Sequence, residues 1–108
     1  MTYEEVNLMV AEIGYPYTYY EFKSGPVEMP FVVFYYPARS DFHADGENYI
    51  RIEQLIIELY TSNKDFAAEE RVEAVLNKYG FTFDKAERRW EEENSYEAIY
   101  SMEVIINA

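Results

Sequence analysis

Tyr49-Ile50-Arg51-Ile52-Glu53-Gln54-Leu55-Ile56-Ile57-Glu58-Leu59-Tyr60 is the stretch whose reading decides the fold. Ile52, Leu55, Ile56 and Leu59 fit helical spacing. Ile50-Ile52 and Leu55-Ile57-Leu59 instead alternate, as in a strand whose apolar face switches midway. The β-branched isoleucines and the turn signals on either side favour the strand. A bulge near Glu53-Gln54 accounts for the switch of face.

Working outward toward the N-terminus, residues 37 to 48 form a polar connector with an Asp45-Gly46 turn signal. Before it lie two short aromatic and β-branched runs, Tyr17 to Phe22 and Phe31 to Tyr36, read as a hairpin-like pair around Lys23-Ser24-Gly25-Pro26 and Pro30. Phe31-Val32-Val33-Phe34-Tyr35-Tyr36 is apolar on both faces, so it is covered twice or buried against another subunit. The chain opens with a helix over residues 2 to 13. Thr2-x-x-Glu5 has the form of a capping box, and Val6, Met9, Val10 and Ile13 make one stripe. Gly14 and Pro16 stop it.

Toward the C-terminus, a second helix starts near Phe66, with Val72, Val75, Leu76 and Tyr79 as its apolar stripe. Glu69, Glu70, Arg71, Glu73 and Lys78 lie on its solvated side, and Gly80 ends it. Phe81 to about Glu92 and Tyr96 to Ile106 close the chain as a hairpin. Tyr96, Ala98, Tyr100, Met102, Val104 and Ile106 share one face of the last strand. The predicted architecture is a single α+β domain over residues 1–108, in the order α-β-β-β-α-β-β. Its mixed or antiparallel sheet of four to five strands is packed by two helices, with Val6, Val10, Ile13, Ile57, Val72 and Leu76 in the core. A length of 108 residues suits one domain and is short for two.

Composition narrows the chemistry. With no cysteine, disulfides, thiolate metal sites and a cysteine nucleophile are excluded. No apolar run reaches the roughly 18–20 residues of a membrane helix, and the acidic start lacks the basic region of a signal peptide. The expected location is therefore the cytoplasm of the cell that makes the protein, with no membrane partner. Against 21 acidic residues stand 9 basic ones, a net charge of −12 that repels phosphate backbones and argues against nucleic-acid binding through a basic patch. Twelve tyrosines and seven phenylalanines suit strand packing first and protein interfaces second.

No catalytic, cofactor or metal site is expected. His43 is the single histidine and sits in the polar connector without a nucleophilic serine in context. Asp41, Asp45 and Glu47 around it are spaced as D-x-x-x-D-x-E, which is no calcium loop. The four glycines are scattered turn residues rather than a phosphate-cradling loop. Two features remain as candidate interface elements. One is the connector, carrying Arg39, Asp41, Phe42, His43 and Asp45, with Ala38 to Asn48 expected to be mobile alone and to engage a neighbour. The other is Trp90, an anchor for either core or interface.

Several stretches in order resemble a known group. They are the N-terminal short helix, Pro30-Phe31-Val32-Val33-Phe34, Ala44-Asp45-Gly46, Ile57-Glu58-Leu59-Tyr60-Thr61 followed by Lys64-Asp65, Glu70-x-x-Val72-Glu73-x-x-Leu76, and an aromatic closing hairpin through Trp90 and Tyr100. Together they are similar to small tail-completion or tail-terminator proteins, encoded among the head–tail joining genes of long-tailed phages and prophages of Gram-positive bacteria. The resemblance implies a sheet packed by helices and assembly of the subunit with itself into a ring, typically a hexamer. Such a ring docks on tail-tube protein and head-connector proteins, DNA passes through its lumen, and the subunit ends in the virion. Two other classes fit the composition: an acidic non-enzymatic inhibitor or DNA mimic, and a small-ligand binding domain with an aromatic pocket.

Overall fold

A computed structural model describes residues 1–107. Helix α1 (Tyr3–Glu12) begins at the expected capping box: Thr2 Oγ1 accepts the Glu5 amide at 3.1 Å and Glu5 Oε1 accepts the Thr2 amide at 3.0 Å. Gly14 follows it at φ +91°, and a Cβ there would lie 2.2 Å from Arg71 Nη2. The backbone conformation is what requires glycine there, and any side chain would also have to displace the Arg71 guanidinium, which packs 4.8 Å from the Tyr15 ring.

The chain continues through β1 (Tyr17–Tyr19), β2 (Phe31–Tyr35), β3 (Phe42–Ala44), β4 (Glu47–Thr61), α2 (Phe66–Lys78), β5 (Asp84–Trp90) and β6 (Ser95–Ile106). The sheet has six strands in the order β1-β2-β4-β6-β5, with β3 paired to the leading end of β4. The class is α+β as expected. The added strand β3 makes the order α-β-β-β-β-α-β-β.

Both helices cover one face of this sheet. Val6, Met9, Val10 and Ile13 of α1 and its end meet Ala68, Val72 and Leu76 of α2 over Val32, Phe34, Leu55, Ile57, Leu59, Tyr100, Met102 and Val104. All six expected core residues are fully buried. On β6 the even-numbered residues from Ala98 to Ile106 face the helices, as the alternation predicts.

Four expectations need correction. First, β1 and β2 are parallel, with Tyr17 opposite Val32, rather than a hairpin. Tyr20 turns the chain out at φ 68°, and residues 20–30 come close to the dozen residues that a parallel crossover needs. Second, no bulge interrupts β4 at Glu53-Gln54, since its register against β6 runs unbroken from Arg51↔Ile106 to Thr61↔Tyr96. Odd-numbered residues from Glu53 to Thr61 face the core throughout, and Ile50 and Ile52 lie on the opposite face. The register shift occurs nearer the turn, between Phe42 and His43, and leaves Tyr49 without a direct opposite.

Third, the connector is no open loop. Asp45 and Gly46 take φ 52° and 78°, the two positive values of a two-residue hairpin turn, and fold Phe42–Ala44 back on β4. Before them, Ser40 donates its amide to Ile52 O at 2.9 Å and Ala38 O accepts the Gln54 amide at 2.8 Å. Fourth, Glu69 is buried, not on a solvated side. Lys64 Nζ and Lys85 Nζ each lie 2.7 Å from its carboxylate and tie α2 to the sheet edge. Burial alone raises this carboxyl, but those hydrogen bonds hold it below its ordinary value.

Candidate assembly surfaces

The first surface is an arm. At about 3.3 Å per residue, β4 accounts for the 50 Å long axis of the molecule. Its leading residues 47–50 have no partner but β3, because pairing with β6 starts only at Arg51. The hairpin therefore projects beyond the helix-covered sheet. Phe42, Tyr49 and Ile50 expose 56%, 60% and 40% of their surface on it. Large apolar side chains left this exposed together on a projecting hairpin are the usual mark of a contact surface.

A carboxylate fixes the arm at its base. Asp41, with its side chain only 6% exposed, accepts Arg39 Nε at 3.1 Å, Asn48 Nδ2 at 3.0 Å and the Ile52 amide at 3.1 Å, and is ion-paired with Arg39 Nη2. The Arg39 hydrogen bonds, assisted by the Ile52 amide and Asn48, hold this carboxyl down at about 2. Of the connector residues named from sequence, Arg39 and Asp41 come together here. Phe42 stands opposite Ile50, His43 lies exposed opposite Asn48, and Asp45 forms the turn.

Trp90 is elsewhere. It ends the edge strand β5 opposite Ser95, at the far end of the sheet from the arm. It is 39% exposed, donates Nε1–H to Glu97 Oε1 at 2.9 Å, and carries the Arg88 guanidinium 5.2 Å from its ring. The sequence reading thus named two separate places.

That tryptophan borders a feature missed from sequence. On the helix-free face, Glu58 of β4 and Glu97 of β6 are diagonal neighbours, with Tyr60 directly opposite Glu97. Tyr60 Oη reaches both carboxylates at 3.1 Å, and Tyr35 Oη donates to Glu58 Oε2 at 3.0 Å. Burial, then the facing Glu97, pushes the Glu58 carboxyl up to about 7. Burial and Glu58 likewise raise the Tyr35 hydroxyl to about 12. The available signal was a carboxylate inside an apolar run, Ile56-Ile57-Glu58-Leu59-Tyr60, since such groups are almost never buried unless partnered.

Among the described residues, no group of three His, Asp or Glu side chains is placed to hold a metal ion, and no helix is long and apolar enough to cross a membrane.

Fold and surfaces define a small α+β protein with a projecting hairpin and a helix-free sheet face. No protein-family model and no curated protein matches the chain. Among solved structures it is similar to a chain of the "Virion of native gene transfer agent (GTA) particle", with a TM-score of 0.68 at 14% identity, covering 98% of this chain and 91% of that one. At that identity the likeness is one of fold, and it extends over nearly the whole length of both chains.

Proposed function

We propose that this protein is a structural virion-assembly subunit, and more narrowly a tail-completion or tail-terminator subunit at a head–tail junction. The observation that carries the reading is the fold held in common, nearly end to end, with a chain of a gene transfer agent virion. The ordered sequence stretches that resemble tail-completion proteins point the same way. So does the arm, whose exposed Phe42, Tyr49 and Ile50 need a second surface to be buried.

In this reading copies of the chain form a ring, with the Arg39-to-Ile50 arm reaching a neighbour. The ring docks on tail-tube protein and on the head connector, and DNA crosses the lumen without a specific grip. A net charge of −12 suits that passage, because an acidic wall repels the phosphate backbone. The reading requires no catalysis and no cofactor.

Mixing the purified protein with tail-tube protein tests it. The expected result is a ring at one end of the tube by electron microscopy. Binding to a DNA-processing enzyme with no affinity for the tube would replace this reading by the DNA-mimic one, which the same acidic surface favours.

A further inference from the structure

A cleft of about 330 Å³ opens on the helix-free face beside the carboxyl pair. Four aromatic rings, Tyr20, Phe22, Phe31 and Tyr60, form its walls, and Glu58 and Ser95 lie within. Phe31 stacks on Tyr60 at 5.0 Å and 20°, and Phe22 meets Phe31 edge-on at 5.3 Å. Phe22, Phe31 and Tyr60 thus make a continuous aromatic surface, and Tyr20, packed on the Tyr35 ring, lines the cleft beside it.

Two polar groups in this cleft have unused capacity. Ser95 is 2% exposed, yet its Oγ has no hydrogen-bond partner within the chain. A buried hydroxyl left so is costly, and such groups call for an explanation. Glu58 accepts from the Tyr35 and Tyr60 hydroxyls and faces the Glu97 carboxyl, yet no cationic donor among the described residues uses its remaining lone pairs. Glu21 and Glu93 stand exposed at the mouth. Around Glu58, the other facing groups are Glu97 and the Tyr35 and Tyr60 hydroxyls. Arg88, opposite Glu97 on β5, has its guanidinium over the Trp90 ring. No cation of the chain is bonded to either carboxylate of the pair among the described residues.

We infer that this cleft is a receptor for an arginine side chain presented by a basic partner protein. A guanidinium is planar, stacks on aromatic faces and carries five N–H donors in a rigid fork. Glu58 and Ser95 Oγ supply acceptors for that fork, and the aromatic walls supply the stacking surface. Charge complementarity makes the source a different protein rather than a second copy. A chain with 21 acidic and 9 basic residues meets its own copy with like charge. This choice of source rests on the assembly reading; the cleft itself does not.

Titration of the isotope-labelled protein with N-acetyl-arginine amide, followed by NMR, tests the cleft. The neutral isostere N-acetyl-citrulline amide is the control. Saturable shifts at Glu58, Tyr60 and Ser95 are expected with the arginine probe and not with citrulline. Binding should strengthen as pH rises through the range where Glu58 loses its proton, since only the carboxylate attracts the cation. Glu58→Gln should abolish the shifts and Ser95→Ala should weaken them, each with the remaining spectrum intact.

Equal response to both probes, or binding indifferent to both substitutions, would overturn the site. If Glu58→Gln instead breaks self-association, the source is a second copy and the partner assignment falls. Failure to bind tail-tube protein, with the probe result intact, would sink the assembly reading alone.

Discussion

The Asp41 carboxylate accepts the Ile52 amide at 3.1 Å, so the residue that opens the arm is bonded to the point where β4 leaves it. The rest of its shell, Arg39 and Asn48, comes from both sides of the same hairpin. Asp41→Ala should therefore release the arm without unfolding the subunit. Hydrogen exchange should show faster exchange at Ile52 and across residues 42–50, with core amides of β4 and β6 unchanged. Because this carboxyl is held down at about 2, the brace is complete above the ordinary carboxylate range and fades as pH falls toward that value. An arm equally protected in the variant and the parent would show that Asp41 is no brace.

Leu76 is fully buried in α2 against the sheet. Leu76→Ala removes that side chain and leaves a cavity, at a cost of roughly 2–5 kcal/mol. Urea melts should show a lower midpoint with an unchanged slope. A loss under about 1 kcal/mol would mean that the site collapses around the smaller side chain or that the helix packs in another register.

Glu58→Gln should stabilise the subunit in alkaline solution. A carboxyl pushed up to about 7 binds its proton more tightly folded than unfolded. Stability is therefore highest below the unfolded value of about 4.3 and falls as pH rises through the folded one. Glutamine keeps the shape and, like the protonated carboxyl, offers one acceptor oxygen and a donor, but it carries no charge to bury. Thermal melts of the parent should fall between pH 5 and pH 8, and those of the variant should fall less. Parallel curves for the two proteins would place the pH dependence elsewhere.

The long strand β4 was legible from its β-branched isoleucines and flanking turn signals rather than from its period. Periodicity made the two helices and the core face of β6 legible, because each buries one continuous apolar stripe. It failed wherever pairing rather than burial makes the strand. Phe42-His43-Ala44 is exposed throughout and exists as a strand only because Asp45-Gly46 folds it onto β4. The parallel pairing of Tyr17–Tyr19 depends on a positive φ at Tyr20 that no residue type announces. Charge misled in one place, because Glu69 looks solvated until Lys64 and Lys85 arrive from outside its helix. Polarity and length point to the connector as a contact element, whereas the apolar Tyr49 and Ile50 belong to β4, as their place in the isoleucine-rich run predicts, and reach the arm only because β4 extends past β6. Glu58 and Glu97 lie on different strands, so only the register that sets β4 beside β6 brings them together.

Self-association through the arm should grow with added salt. Each subunit carries a net charge of −12, so approaching copies repel at low ionic strength. The Debye length falls from about 30 Å at 0.01 M to about 8 Å at physiological salt, which removes most of that repulsion between exposed charges. What remains is burial of Phe42, Tyr49 and Ile50, side chains of a kind that contribute about 1.5–3 kcal/mol each when fully covered. Solution mass measured across a salt series should therefore shift from monomer toward larger species. The double variant Phe42→Ser, Ile50→Ser should stay monomeric throughout while keeping its melting temperature, since neither side chain packs in the core. Association that weakens with salt would instead mean that opposite-charge pairs drive it. Association unchanged in the double variant would mean that another surface, such as the helix-free face, makes the contact.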